Sequence, residues 1–208
     1  MTEQLIKIFV VLFVVVEPLS LVPMFGALTS GASVRYRRKM ALKSTFLAAI
    51  ILFVFALSGN WFLGAMSISL DAFKIAGGLL LFMISLDMVF ARQSGVRSTT
   101  VREQEEARYK EDISVFPLAF PLIAGPGAMA TVLLLVGETD NDPVMYVGIL
   151  GVLLLVLLLT LTFMLLTPVV MRLLGVTGAN VISRLLGVVL VALSVQYVID
   201  GVRGSFLL

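Results

Sequence analysis

The chain has 208 residues, 60% of them hydrophobic and only 13% charged, with a mean hydropathy of +1.09. Roughly a quarter of the residues of an ordinary soluble domain are charged, so this composition excludes one and points to an integral membrane protein. The net charge of +2 is carried by short basic clusters that membrane orientation explains better than nucleic acid, and the absence of Cys and His removes disulfides, thiolate chemistry and the commonest metal ligand.

About 20 apolar residues cross the hydrocarbon, and six stretches qualify: approximately 5–26, 44–64, 72–91, 113–136, 144–170 and 183–203. The first lacks a basic n-region and a small-x-small cleavage site, so it is expected to be a span and not a signal peptide. Inside it, "EPLSLVPMF" places the carboxylate of Glu17 and two prolines, Pro18 and Pro23, in the middle of the apolar run. The third span carries Gly77, Gly78, Ser85 and Asp87, with Lys74 near its start. A mixed-charge stretch at 92–112 reads as a solvated linker. The fourth span contains Pro117, Pro121 and Pro126, and the fifth is an unbroken Leu/Val/Thr run. The sixth brings Arg184, Gly187, Ser194 and Gln196.

Basic residues fall in alternate connections: Arg35, Arg37, Arg38 and Lys39 after the first span, five in the 92–112 linker, and Arg172 before the sixth span. The remaining turns carry acid, notably Glu138, Asp140 and Asp142. The positive-inside rule then places the basic connections in the cytoplasm and both termini on the other side.

Pro18 and Pro23 are five apart, as are Pro121 and Pro126, and a shift of 109 residues pairs Asp71 with Asn180, Gly78 with Gly187, Ser85 with Ser194 and Asp87 with Gln196. These matches predict a duplication. The division is residues 1–91 as one three-helix repeat, 92–112 as the linker and 113–208 as a second repeat. An odd number of spans per repeat inverts the second relative to the first, an architecture in which broken helices from both repeats form a transporter's substrate site near mid-bilayer. The expected fold is all-α and membrane-embedded, with the first and fourth of six helices broken at their proline pairs.

An internal proline removes a backbone hydrogen bond and frees polar groups that lipid cannot satisfy. In "AGPGA" the glycine-proline step reads as a stop and a restart near Pro126, and a symmetric restart is expected near Pro23. First-turn N–H groups lack partners and favour a carboxylate or phosphate. Glu17, about twelve residues into its helix, falls roughly 18 Å deep at 1.5 Å per residue, where a charge is costly unless it faces a cavity or a partner. The candidate substrate-binding residues are Glu17, Pro18, Ser20, Pro23, Pro121, Gly125, Pro126, Gly127 and Ala128. Candidates for coupling or gating are Glu17, Asp87 and Gln196. Plainer roles stand beside these: prolines as kinks, Glu17 as a local helix cap, Asp87 paired with loop arginines, Lys74 and Arg184 snorkelling to the interface, and the glycines allowing close packing.

At these residues the sequence resembles the MarC family of six-helix bacterial inner-membrane proteins, a group that includes neutral amino acid transporters. The likeness covers nearly the whole chain, through "EPLSLVPMF", "FKIAGGLLLFMISLDM", "FPLAFPLIAGPGA" and "ISRLLGVVLVALSVQYVIDG". The resemblance implies a multi-pass inner-membrane protein and, for some members, transport of small neutral amino acids such as alanine and glycine. Family members typically carry Asn or Asp before the first proline and often Gly-Asn within the pair; this chain has Glu17 there, and Ser20 and Leu21 inside.

The leading expectation is a secondary transporter or exporter of small neutral amino acids, since no phosphate-binding Gly-Lys-Ser/Thr motif occurs. Efflux of apolar drugs and binding or translocation of a lipid phosphate are the alternatives. An enzyme is not expected, because no nucleophile–base arrangement is recognisable. Membrane lipids and a small zwitterionic or anionic substrate are the partners implied, with a homo-oligomer left open and no cofactor or metal expected.

Overall fold

The computed structural model describes residues 2–90, 112–139 and 142–206, and its regular structure is all helical among those residues. Helices α1 (Thr2–Val16) and α2 (Pro18–Leu28) continue as one apolar span of 27 residues across Glu17. Pro18 occupies the first turn of α2, where its missing N–H costs nothing. The break therefore lies at Glu17–Pro18, and Pro23 sits inside α2. This corrects the expected restart near Pro23: the earlier proline already meets the requirement for a helix start.

Helix α3 (Val34–Ala65) begins ten residues before the apolar window suggests. Ser33 caps it, its hydroxyl accepting from the Tyr36 N–H at 3.2 Å. Arg35, Arg37, Arg38 and Lys39 thus lie in the first turns of a helix and not in a loop. Apolar windows find only the hydrocarbon-matched part of a helix, and a good cap lets it run on into polar surroundings. Helix α4 (Leu70–Phe90) completes the first half. The 92–112 linker lies outside the described residues except for Asp112.

The second half opens with an irregular segment, Ser114–Ile123, in which Phe116 and Phe120 are extended because each precedes a proline. Its turns are wide, with Leu118 N–H reaching Ile113 O at 3.3 Å and Ala124 N–H reaching Ala119 O at 2.8 Å. Helix α5 (Pro126–Gly137) follows at an angle of 54° to that segment. Helix α6 (Pro143–Leu165) is capped by Asp142, which accepts from Val144 and Met145 N–H at 2.9 and 3.3 Å. Helix α7 (Thr167–Phe206) follows after a single residue and is interrupted at Gly175, where φ is 62°. It starts well before the expected 183, so Arg172 is also helical. Among the described residues five helical runs are long and apolar enough to span a membrane, six if the bent 114–137 pair is one span.

The most extensive packing is between α4 and α7. They run antiparallel: a Cβ on Gly78 would lie 2.8 Å from both Ser194 O and Val198 Cγ2, and one on Gly187 would lie 2.9 Å from Met88 Cβ and 3.2 Å from Val89 Cγ2. The same 109-residue shift that carries Gly78 to Gly187 carries Val89 to Val198, so these two contacts are mates. Ser85 and Ser194 also match, both fully buried and each donating to its own helix at 2.7 Å, to Phe82 O and Val191 O.

The other contacts exchange partners between halves. Helix α3 packs on the 114–123 segment and α5, whereas α6 packs on α1 and α2. Helices α3 and α6 meet each other, with Tyr146 Oη donating to Ala56 O at 3.2 Å. Ser44, Ser85, Thr160 and Ser194 are buried while Phe46, Leu57, Trp61 and Leu185 are exposed, the arrangement a lipid solvent selects.

The glycine seam makes a stability prediction. Gly78→Ala and Gly187→Ala should each lower the thermal midpoint of the detergent-purified protein, by an overpacking cost of about 1–3 kcal/mol. Gly151→Ala, with nothing within 4 Å of its Cβ, should leave the midpoint unchanged or raise it.

Candidate functional site

The two backbone breaks come together through Val15 and Gly127. A Cβ on Gly127 would lie 2.9 Å from Ile84 Cδ1, 3.0 Å from Leu81 Cδ2 and 3.9 Å from Val15 Cγ1. Val15 is two residues before Glu17, so the end of α1 and the start of α5 meet at one place on α4. A narrow crevice lies there, lined by the aliphatic side chains of Val15, Leu81, Ile84, Leu122 and Ile123 and by the Gly125–Ala128 turn. The 21 residues of α4 serve as a depth gauge: at 1.5 Å per residue, Leu81 and Ile84 lie about 17 and 21 Å along a helix about 31 Å long. The crevice is in the middle third of the span.

Local sequence builds this turn. Only glycine fits at 125, where a Cβ would lie 2.5 Å from Pro121 O. Pro126 starts α5, and the first described intrahelical bond is from Met129 N–H to Gly125 O at 3.0 Å. The N–H groups of Gly127 and Ala128 precede that bond and have no carbonyl to reach within the helix. Two buried amide donors at a helix N-terminus suit an anionic group.

Glu17 is 3% exposed and adopts the left-handed backbone region, φ 53° and ψ 59°. That conformation costs a non-glycine residue free energy and is least strained for Asn or Asp, the residue types the family resemblance places here. Its carbonyl accepts from the Ser20 and Leu21 N–H groups at 3.1 and 3.4 Å. Its side chain makes no capping bond to α2, so the local-cap role is not what the structure displays. The carboxylate instead accepts from Ser183 Oγ at 2.9 Å, joining the first break to α7.

The remaining candidates divide. Gly125, Pro126, Gly127 and Ala128 line the crevice, but Glu17 does not; Val15 takes that place. The space is walled by aliphatic side chains, and its polar character comes from backbone. Pro18 starts α2, Pro23 lies within it, and Ser20 Oγ is buried without a hydrogen-bond partner. Pro121 lies in the irregular segment. Asp87 is near the C-terminal end of α4, whereas Gln196 lies on α7 at the level of Gly78, between the Ser194 and Val198 contacts, and donates to Asp200 Oδ1 at 2.8 Å.

Sequence reasoning missed three features. Ser183 as the partner of Glu17 lies 166 residues away and carries no local signal. Lys74, expected to snorkel, bridges to Glu138 at 3.1 Å and lies 3.8 Å from Asp71. The third is Thr131, fully buried on α5 with an unpartnered hydroxyl. Among the described residues no group of His, Cys, Asp and Glu could hold a metal ion.

The start of the broken segment is fixed by charge. Asp112 accepts from the Ser114 N–H at 2.9 Å and pairs with Lys43 of α3. The Lys43 ammonium, then the Ser114 hydroxyl and amide, hold its carboxyl well below the usual carboxylate range.

Comparison with known proteins agrees with these motifs. The model of a family described as MarC family integral membrane protein matches residues 2–206. A membrane protein of Methanocaldococcus jannaschii, named UPF0056 membrane protein MJ1677, is 37% identical over 206 residues, covering 99% of this chain and 98% of the relative. The Escherichia coli UPF0056 membrane protein YhcE is 34% identical over 201 residues, 96% of this chain and 92% of its own length. The Bacillus subtilis UPF0056 membrane protein YvbG is 34% identical over 207 residues, 99% and 97% respectively. No solved structure matches.

A folded-state pKa depressed below the unfolded value contributes stability that is present above the unfolded value, near 3.9, and is lost as pH falls through the folded one. Asp112→Asn should therefore be less stable than wild type at pH 7, and the difference should shrink below about pH 4. With both partners nearly half exposed, the difference should stay under about 1 kcal/mol. Thermal midpoints of both proteins between pH 3 and 8 check this.

Proposed function

The chain belongs to the MarC family of integral membrane proteins, and on that footing we propose that it is a secondary transporter or exporter of small neutral amino acids, not an enzyme, built from two inverted three-span repeats. The observation that carries this reading is the mid-span meeting of the two breaks at Val15 and Gly127. A soluble helix can end wherever it likes; a helix in hydrocarbon is interrupted only where protein, water or a ligand meets the freed backbone. The mated glycine contacts of the antiparallel α4 and α7, and the exchange of partners between halves, support the inversion, which is the arrangement used for alternating access about a fixed central site.

The first-turn amides of Gly127 and Ala128 receive the substrate carboxylate. Glu17, on the other break, recognises the ammonium group or carries a coupling proton, and its bond to Ser183 ties that state to the position of α7. The crevice as it stands has a volume of about 10 Å³, room for about one water molecule, so the zwitterion enters only when α5 moves off α4, and the aliphatic wall then disfavours a bulky side chain. Both termini lie on the periplasmic side of the inner membrane and the 92–112 linker in the cytoplasm, following the basic clusters at 35–39 and 92–110.

Glu17→Gln keeps size and hydrogen bonding but removes the charge. Uptake of alanine by reconstituted protein should fall at least tenfold while expression and membrane insertion are retained. A coupling carboxylate makes wild-type uptake depend on pH in a way that the Gln variant does not, whereas simple recognition mainly weakens binding. Wild-type rates for Glu17→Gln across pH 5 to 8 would remove both roles. Orientation is tested separately by single cysteines at positions 98 and 140 and an impermeant thiol reagent on intact spheroplasts. Position 140 should label and position 98 should not; the reverse overturns the orientation.

A further inference from the structure

Buried hydroxyls in this chain mostly donate back into their own helices. Thr29 bonds Phe25 O, Ser85 bonds Phe82 O, Thr160 bonds Val156 O, Thr167 bonds Met164 O and Ser194 bonds Val191 O, all at 2.7–2.8 Å. Three buried hydroxyl oxygens among the described residues have no partner, those of Ser20, Thr45 and Thr131. Thr131 has no exposed surface at all. It follows Gly127 by four residues, so it lies on the same face of α5, one turn from the crevice on the side away from the break. A buried hydroxyl without a hydrogen bond is costly, and such a group calls for a partner, whether water, ion or ligand.

Gly127 and Leu134, about one turn to either side of Thr131 on the α5 surface, approach α4 together with Ala130 and form a seam. Gly77 of α4 lets α5 approach closely, since a Cβ there would lie 3.5 Å from Ala130 Cβ and 3.3 Å from Leu134 Cδ1. Further along, where α5 ends, Lys74 Nζ of α4 lies 3.1 Å from Glu138 Oε1, with Asp71 Oδ1 at 3.8 Å. The Lys74 side chain is only 15% exposed. Small residues, one orphan hydroxyl and a cross-linking ion pair thus follow one another from the crevice to the end of the span. Helix α4 belongs to the first half and α5 to the second, and a displacement of α5 from α4 opens this seam.

We infer that the α4–α5 seam is the outer leg of the translocation path, with the Thr131 hydroxyl as the polar group that a passing zwitterion meets and the Lys74–Glu138 ion pair as its closure. This rests on the transporter reading. The side facing Glu138 is the outer one by the same charge rule that orients the chain.

The chain contains no cysteine, so Ala130→Cys gives a single reporter inside the seam. Its rate of reaction with an impermeant methanethiosulfonate, added from outside to spheroplasts, is measured alone and combined with Glu138→Gln or Lys74→Gln. Breaking the ion pair should speed the reaction at least tenfold. Both partner positions are at the end of the span and partly exposed, and two variants on opposite helices guard against the misfolding of one. A rate unchanged by both substitutions in folded, monodisperse protein overturns the closure.

Thr131→Val, which keeps shape and removes only the hydroxyl, should cut alanine uptake at least tenfold without lowering the thermal midpoint, and Thr131→Ser should retain uptake. Wild-type uptake by Thr131→Val overturns the ligand-meeting role. Labelling requires no substrate. If the ion pair gates position 130 but no amino acid is taken up, the substrate assignment fails and the path stands; if uptake is present and labelling is ungated, the path fails alone.

Discussion

In hydrocarbon a backbone N–H or C=O has no partner outside its own helix or another part of the protein, and leaving one unpaired costs several kcal/mol, roughly 2–7 on transfer scales. This chain frees such groups twice within apolar sequence, at Glu17–Pro18 and between Ser114 and Pro126. Most of the architecture follows from accommodating them. The breaks turn inward, meet on α4 at the level of Leu81 and Ile84, and are enclosed by helices of the opposite half, with α3 against the second break and α6 against the first. The outside of the bundle is left to Phe, Leu, Val and Trp facing lipid.

The halves are alike in connectivity and unlike in shape. In the first, a single left-handed residue interrupts a run that continues onward; in the second, three prolines open a ten-residue irregular segment before α5 departs at 54°. The glycine-packed α4–α7 pair is the most extensive contact between helices, and the two broken segments of different shape are built around it. The bond from Ser183 to Glu17 and the ion pair from Lys74 to Glu138 both cross between halves, so each holds one half against the other at a different place.

Much of this was legible in the sequence, for physical reasons that also explain the failures. Composition fixes the solvent of the fold, and the Pro18/Pro23 and Pro121/Pro126 spacings locate the breaks because a proline's missing donor is a property of the residue itself. The two glycines that the 109-residue shift pairs, Gly78 and Gly187, both lie at close approaches of α4 and α7, because close helix packing tolerates little besides glycine there. Helix ends were poorly legible: α3 and α7 extend beyond their apolar windows because caps and helix continuity act independently of hydropathy. The restart at Pro18 and not Pro23 could not be chosen from spacing, since either proline suits a first turn. Pairings distant in sequence, Glu17 with Ser183 and Lys74 with Glu138, leave no periodic trace, so the carboxylate's actual partner and the ion pair appeared only in three dimensions. The polarity of the crevice comes from backbone amides, which side-chain identities do not display.

The central claim is that the meeting of the two breaks is a site for a small zwitterion. The most direct measurement is the thermal midpoint of the purified wild-type protein in detergent, screened against glycine, alanine and larger amino acids, lipid phosphates and apolar drugs. Glycine and alanine should produce a concentration-dependent upward shift that saturates and fades as the side chain grows, because a ligand that binds only the folded state stabilises it. A shift produced by lipid phosphates or apolar drugs, with none from any amino acid up to millimolar concentration, would contradict it.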